Sequence, residues 1–306
     1  MSDLPDAVSL REVGPRDGLQ NEDPVPTEAK VRLIDALSAT GVPRIEAVSF
    51  VHPAAIPQMA DADEVWARIT RHPRVRYSAL VPNPRGARRA LDAGFAEIEV
   101  VVSASDTHNR RNLNRSTDQS LDAIAEVADL AHRRAARCEV IVATAFGCPY
   151  EGDVPVARVL SVVGAAAAAG VDSLCYGDTT GMATPTRVVT LVDRTRSTYP
   201  ELPLGLHFHN TRGAGLANVY AALQLGVSAF DASVGGLGGC PYAPGASGNI
   251  CTEDLVHMLE DCGVDTGVDL AAMIEAARLA EELVGRRLPS QVLRAGPRTR
   301  RVAVPG

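Results

Sequence analysis

Short β-branched runs alternate with longer amphipathic patterns from residue 8 to residue 261, and this alternation constrains the fold more than any single motif. The runs are Val8 to Val13, Arg44 to Ser49, Val75 to Val81, Glu97 to Val102, Glu139 to Thr144, Ser173 to Tyr176, Leu204 to His209 and Ala229 to Val234. Between and after them lie Thr27 to Thr40, Ala62 to Arg71, Pro84 to Ala93, Thr117 to Ala136, Pro155 to Ala169, Thr184 to Tyr199, Gly213 to Leu225 and Thr252 to Asp261, with apolar residues recurring every three and four positions. Local signals agree. Thr27 follows Pro26, Ser116 with Gln119 three residues on forms a capping box, and Gly41, Gly94, Gly170, Gly226 and Gly263 stand where left-handed helix caps belong. Eight strand-helix units in a row predict a closed (β/α)8 TIM barrel, because an open doubly wound sheet usually has fewer strands.

The expected domain is the barrel over 1–263. A C-terminal region over 264–306 packs on it, built from a helix at Leu270 to Val284 and a basic tail with Arg286, Arg287, Arg294, Arg298, Arg300 and Arg301. Beyond about Gln291 the prolines and glycines predict a loose tail or one packed on a partner.

Charge and cysteine usage narrow the function classes. A net charge of −7 argues against nucleic-acid binding, which wants a basic footprint. Six cysteines without a Cys-x-x-Cys pair indicate a reducing compartment. With no basic-plus-apolar leader and no stretch near the roughly 18 apolar residues of a membrane span, the expected location is the cytoplasm, with no membrane partner.

Barrel active sites gather at the C-terminal ends of strands, so the chemistry is sought there. In Leu204 to Asn210, period two places His207 and His209 on one face, half of a divalent-metal site. The loop after the first strand, Glu12 to Asn21, supplies Asp17 as a hard oxygen ligand and Arg16 as a permanent cation suited to an oxyanion. Glu46 lies on the second strand, where it fits either this site or a paired ion of the barrel core. Asp178, at the end of the sixth, suits a supporting partner of the metal site or a substrate contact.

The eighth strand runs into Gly235-Gly236-Leu237-Gly238-Gly239-Cys240, which reads as a flexible lid carrying a thiol at its tip, with Asn249 at its far end. The segment lacks the Gly-x-Gly-x-x-Gly pattern of a dinucleotide site. Asp17, His207, His209 and Asn249 together offer two oxygens and two nitrogens, a donor set for Mg2+ or Mn2+, with Zn2+ or Co2+ able to substitute.

These stretches, with Gly147-Cys148-Pro149-Tyr150-Glu151-Gly152 and the run from Cys240 to Asn249, resemble the hydroxymethylglutaryl-CoA lyase family from about Val8 to Val292. The resemblance implies metal-dependent retro-Claisen cleavage of 3-hydroxy-3-methylglutaryl-CoA to acetyl-CoA and acetoacetate, in leucine breakdown or a neighbouring catabolic route. It implies Asp17, His207, His209 and Asn249 as metal ligands and Arg16, Asp17, Glu46 and Cys240 as the catalytic set. Arg16, Gln20, Asp178 and Arg212 would meet the acyl group, and Ser105, Arg110, Arg111, Asn112 and Arg287 would contact CoA. A homodimer is implied as well.

The chain departs from the family where Asn210-Thr211-Arg212-Gly213 replaces the usual Asp-Thr-Tyr-Gly, raising charge at the mouth by two. Gly285 also stands where the family often has a polar residue ahead of its basic pair. The first departure leaves open a lyase for another 3-hydroxy-3-alkylglutaryl-CoA or a citramalyl-type thioester. A Claisen-condensing synthase is disfavoured by the lack of a long C-terminal regulatory region. A non-catalytic CoA- or protein-binding barrel would have had no reason to keep all these residues.

Overall fold

In the computed structural model, which describes residues 4–239 and 248–301, the eight strands close into one parallel ring in sequence order. They are β1 (Ser9–Glu12), β2 (Arg44–Ser49), β3 (Arg76–Val81), β4 (Glu97–Ser103), β5 (Arg137–Ala143), β6 (Ser173–Asp178), β7 (Leu204–Phe208) and β8 (Ala229–Ala232). β8 closes on β1 with Leu10 opposite Phe230 and Arg11 opposite Asp231. The outer layer comprises α1 (Thr27–Ser38), α2 (Ala62–Arg68), α3 (Pro84–Asp92), α4 (Asp106–Leu113), α5 (Thr117–Arg133), α6 (Val156–Ala168), α7 (Pro185–Thr198), α8 (Gly215–Leu223) and α9 (Thr252–Asp261), followed by α10 (Leu270–Val284) and α11 (Val292–Ala295). Among the described residues no helix is long and apolar enough to cross a membrane.

The apolar core occupies the annulus between strands and helices. On β4, Ile98, Val100 and Val102 alternate with Glu97, Glu99 and Ser103, and the apolar set is buried with Ile124 and Val127 of α5 in a single core. Each such side chain contributes about 1.5–3 kcal/mol by leaving water. The other strand face points down the barrel axis and is highly charged. Arg11, Glu46, Glu99, Glu139 and Asp231 are all buried there. Buried charges are tolerated only when paired, and Arg11 supplies the pairing, bonding Asp231 with two nitrogens at 2.8 Å and also reaching Glu99 and Glu139.

Three features differ from the sequence expectation. First, α4 occupies part of the stretch expected only to contact CoA. It has no apolar stripe; instead Ser105 caps it by accepting from His108 N, and Asn109 bonds Arg115 O, Ser116 O and Ser120 Oγ. Second, the tail does not come loose at Gln291. Val292 and Leu293 are buried, and Asp254 of α9 accepts from Ser290 Oγ and Val292 N, so the chain is held through α11.

Third, the start of the glycine-rich run is packed rather than free. Val234–Gly236 forms a buried turn, and Gly235 has φ +64°, where a Cβ would meet Leu288 Cδ1 at 2.3 Å. Close packing with a left-handed backbone explains that glycine. The lid reading of Cys240 and its neighbours through Ser247 falls outside the described residues.

Candidate active site

The turn after β1 carries the first group. Residues Gly14–Gly18 form a single π-helical turn, anchored where Arg16 N and Gly18 N donate to Val13 O. It holds Arg16 and Asp17 over the C-terminal end of the barrel. Arg16 is buried and donates from Nη1 to Asp17 Oδ1 at 2.9 Å, while Nη2 lies 2.7 Å from Glu46 Oε2. Gln20 Nε2 donates to the same Asp17 oxygen at 2.9 Å. Burial opposes ionisation of both Arg16 and Asp17. For Arg16 the Glu46 and Asp17 carboxylates outweigh it and raise its pKa; for Asp17 the Arg16 guanidinium and the two histidines lower the carboxyl pKa below the usual range.

Glu46 sits beside a register shift in β2, a bulge of the kind that re-aims a side chain. Burial pushes its carboxyl well above the ordinary range against the pull of Arg16, and the adjacent Glu99 pushes the same way. Glu99 itself is lowered: burial pushes its carboxyl up, and Arg11 with the neighbouring polar side chains together overcome that. The two neighbouring acids are thus driven in opposite directions, Glu46 up and Glu99 down.

β7 brings the histidines to the same mouth, as period two requires. His207 Nε2 and His209 Nε2 lie 3.1 Å apart, and one ligand atom each from Asp17, His207 and His209 falls within 4.8 Å of the others. Residues 248–251 then return alongside the end of β7: Asn210 N donates to Gly248 O, Ile250 N donates to Phe208 O, and His209 bridges Asn249. That pairing sets Asn249 over Asp17, with Nδ2 donating to Asp17 Oδ2 at 2.8 Å. Gly238 makes room for it, having φ +105° and a Cβ direction that points 2.5 Å from Asn249 Nδ2.

The donor set fits a divalent cation. Asn249 Oδ1 and His209 Nδ1 are buried polar atoms with no hydrogen-bond partner among the described residues, an arrangement native structures keep for a reason. Burial, then His207, lowers the His209 pKa to about 3, so it presents a neutral imidazole. Mixed nitrogen and oxygen donors without thiolate suit a hard or borderline ion.

The remaining predicted residues distribute around this centre. Asp178 accepts from Met182 N and Ala183 N on one oxygen while the other is buried without a partner among the described residues, and burial raises its pKa to about 6. Arg212 is exposed and donates to Thr180 O at 2.7 Å and Gly181 O at 3.0 Å, bridging the β7 and β6 loops at the rim. Asn210 Oδ1 accepts from Gly215 N at the head of α8.

Of the expected CoA contacts, Ser105 is buried as the cap of α4, Arg110 pairs with Asp106, and Arg111 lies over the Tyr150 ring. Asn112 and Arg287 are exposed. Cys240 lies outside the described residues. The sequence reading passed over Arg11 and Asp231. Asp231 Oδ2 lies 3.2 Å from His207 Nδ1. The signal was present as one acid at an alternating position in the short strand Ala229-Phe230-Asp231-Ala232.

A closed parallel barrel whose strand ends gather two imidazoles, a carboxylate and an amide beside a buried arginine defines a (β/α)8-barrel protein with a cluster of side chains that could hold a metal ion. The chain belongs to the HMGL-like family, whose model matches residues 7–280. It is 47% identical over 290 residues to the hydroxymethylglutaryl-CoA lyase YngG of Bacillus subtilis (strain 168), covering 94% of this chain and 97% of that one. Against the (R)-citramalyl-CoA lyase of Chloroflexus aurantiacus it is 43% identical over 303 residues, covering 95% and 96%. A solved HMG-CoA lyase from Acenitobacter baumannii, in complex with coenzyme A and 3-methylmalate, superposes with a TM-score of 0.94 at 46% identity over the whole of both chains.

Proposed function

We propose that this chain is a carbon-carbon lyase that cleaves 3-hydroxy-3-methylglutaryl-CoA to acetyl-CoA and acetoacetate with a divalent cation, Mg2+ or Mn2+, as cofactor. The observation that carries the reading is the convergence of Asp17, His207 and His209 next to Arg16. These three residues and Asn249 would hold the cation, which when bound would supply Lewis acidity at the C3 hydroxyl.

The protein side chains divide the remaining work. Asp17 accepts the hydroxyl proton, the C3 oxygen becomes the ketone of acetoacetate, and the electron pair of the C2–C3 bond passes into the thioester as an enolate. Arg16 keeps Nε buried without a partner among the described residues, a donor for the enolate oxygen, and a fixed donor of this kind lowers a barrier by about 2.7–4 kcal/mol. Glu46 holds the guanidinium in place. Cys240 delivers the proton that completes acetyl-CoA at C2. Gln20 steadies Asp17, and Asp178 and Arg212 stand at the acyl end. The CoA chain runs past Ser105, Arg110, Arg111, Asn112 and Arg287.

A second reading, cleavage of a citramalyl-type CoA thioester, is supported by the Chloroflexus aurantiacus relative and by Asn210 and Arg212 at the mouth. A coupled assay for acetoacetate and acetyl-CoA after EDTA treatment, with Mg2+ or Mn2+ then restored, tests the first. Metal-restored turnover is expected; its absence with hydroxymethylglutaryl-CoA, alongside turnover of citramalyl-CoA, selects the second.

A further inference from the structure

From the barrel axis we infer that Asp231, clamped by Arg11, is the positioning residue that sets the tautomer and orientation of His207 for metal binding. The inference rests on the metal reading above. Strand register makes the contact possible: Asp231 on β8 stands opposite Arg11 on β1 and opposite His207 on β7, so three adjacent strands bring the three side chains to one level.

The Arg11 fork grips the carboxylate along its edge, with Nε to Oδ1 and Nη2 to Oδ2 both at 2.8 Å. A bidentate contact of this type defines the plane of a carboxylate as well as its place. Arg11 cannot swing away, because its other terminal nitrogen is held by Glu99 and by Glu139. Asp231 Oδ2 is thereby aimed at His207 Nδ1, with the Cys175 thiol on the same oxygen at 3.7 Å.

A carboxylate accepts and never donates, so the proton between the two residues belongs to His207 Nδ1. The His207 lone pair is then on Nε2, the nitrogen that faces His209 and Asp17. Without this restraint either tautomer is open to a neutral imidazole, and the one protonated at Nε2 cannot ligate.

The test is Asp231→Asn, whose amide N–H can donate to His207 Nδ1 and so favours the Nε2–H tautomer. Mn2+ affinity, read by electron paramagnetic resonance or calorimetry, is expected to fall about 10- to 100-fold. The His207 resonances in 15N-histidine-labelled protein should move from the Nδ1–H to the Nε2–H pattern. Wild-type Mn2+ affinity and an unmoved tautomer in folded Asp231→Asn protein would overturn the inference. Arg11→Lys keeps the cation without the fork and carries the test if Asp231→Asn does not fold. It should weaken Mn2+ severalfold with the tautomer retained, and unchanged affinity there also overturns the inference. Failure of wild-type protein to bind Mn2+ would instead remove the metal reading itself.

Discussion

Asn249 and Asp17 lie 232 positions apart in the chain and meet amide to carboxylate at 2.8 Å, with the Asn249 carbonyl oxygen buried beside them without a partner among the described residues. The contact joins the two ends of the barrel, β1 and the segment after β8, across the candidate metal site.

Asn249→Ala should therefore remove an oxygen donor and one of the bonds that hold Asp17. A hydrogen bond to a charged group is worth about 1.5–3 kcal/mol, so Mn2+ binding should weaken by at least about tenfold. Gly238→Ala should produce a smaller loss in the same direction, since its Cβ would press on the Asn249 amide from a backbone conformation that disfavours side chains. Titration calorimetry on both variants checks this, and full affinity in Gly238→Ala would show that the amide can shift freely.

Arg16→Lys keeps the charge and loses the fork that spans Asp17 and Glu46. We expect kcat to drop about 10²- to 10³-fold, the effect of losing one oxyanion donor, with a much smaller change in KM. Steady-state kinetics separate the two parameters. A loss confined to KM would place Arg16 in ground-state binding.

Glu12 gives the fold a pH dependence. It is buried beneath the Arg16 turn, accepting from Gly14 N, Val234 N and Thr252 Oγ1, yet burial outweighs those bonds and raises its pKa from 4.5 to about 7. A raised folded-state pKa means that its contribution is fully present below about pH 4.5 and lost as pH rises through 7. Gln mimics the protonated acid, so Glu12→Gln should gain on wild type by about 3 kcal/mol between pH 5 and pH 8 in urea unfolding. Glu253, raised to about 7 by burial, titrates in both proteins and cancels from the comparison. Parallel stability curves would contradict the assignment.

Arg212→Tyr breaks the bonds to Thr180 O and Gly181 O and restores the aromatic residue found in the resembling family. Its ranking of hydroxymethylglutaryl-CoA against citramalyl-CoA and longer 3-hydroxyacyl thioesters should change, as kcat/KM ratios will report. An unchanged ranking removes Arg212 from the determinants of specificity.

Much of this molecule was legible in the residues themselves. Strand-helix alternation predicted the barrel, period two put His207 and His209 on one face, and the glycines that end five helical runs all adopt positive φ. These are local properties, decided over a few residues by backbone sterics and side-chain spacing. α4 escaped because it has no apolar stripe; its stability comes from Ser105 and the Asn109 amide, whose partners reach as far as Ser120. Glycines 235 and 236 suggested freedom in the sequence, and Leu288 and Cys251 turn that into close packing.

What only the tertiary structure decided is which distant polar groups face one another. Closing β8 onto β1 sets Arg11 against Asp231, and Asp231 against His207. Closure of the ring puts Glu46 beside Glu99, where burial and the neighbouring acid push the Glu46 carboxyl up. Pattern and propensity carry no information about such pairs, because the energy that selects them is the cost of an unpaired buried charge. That cost arises only once the chain has closed and excluded water.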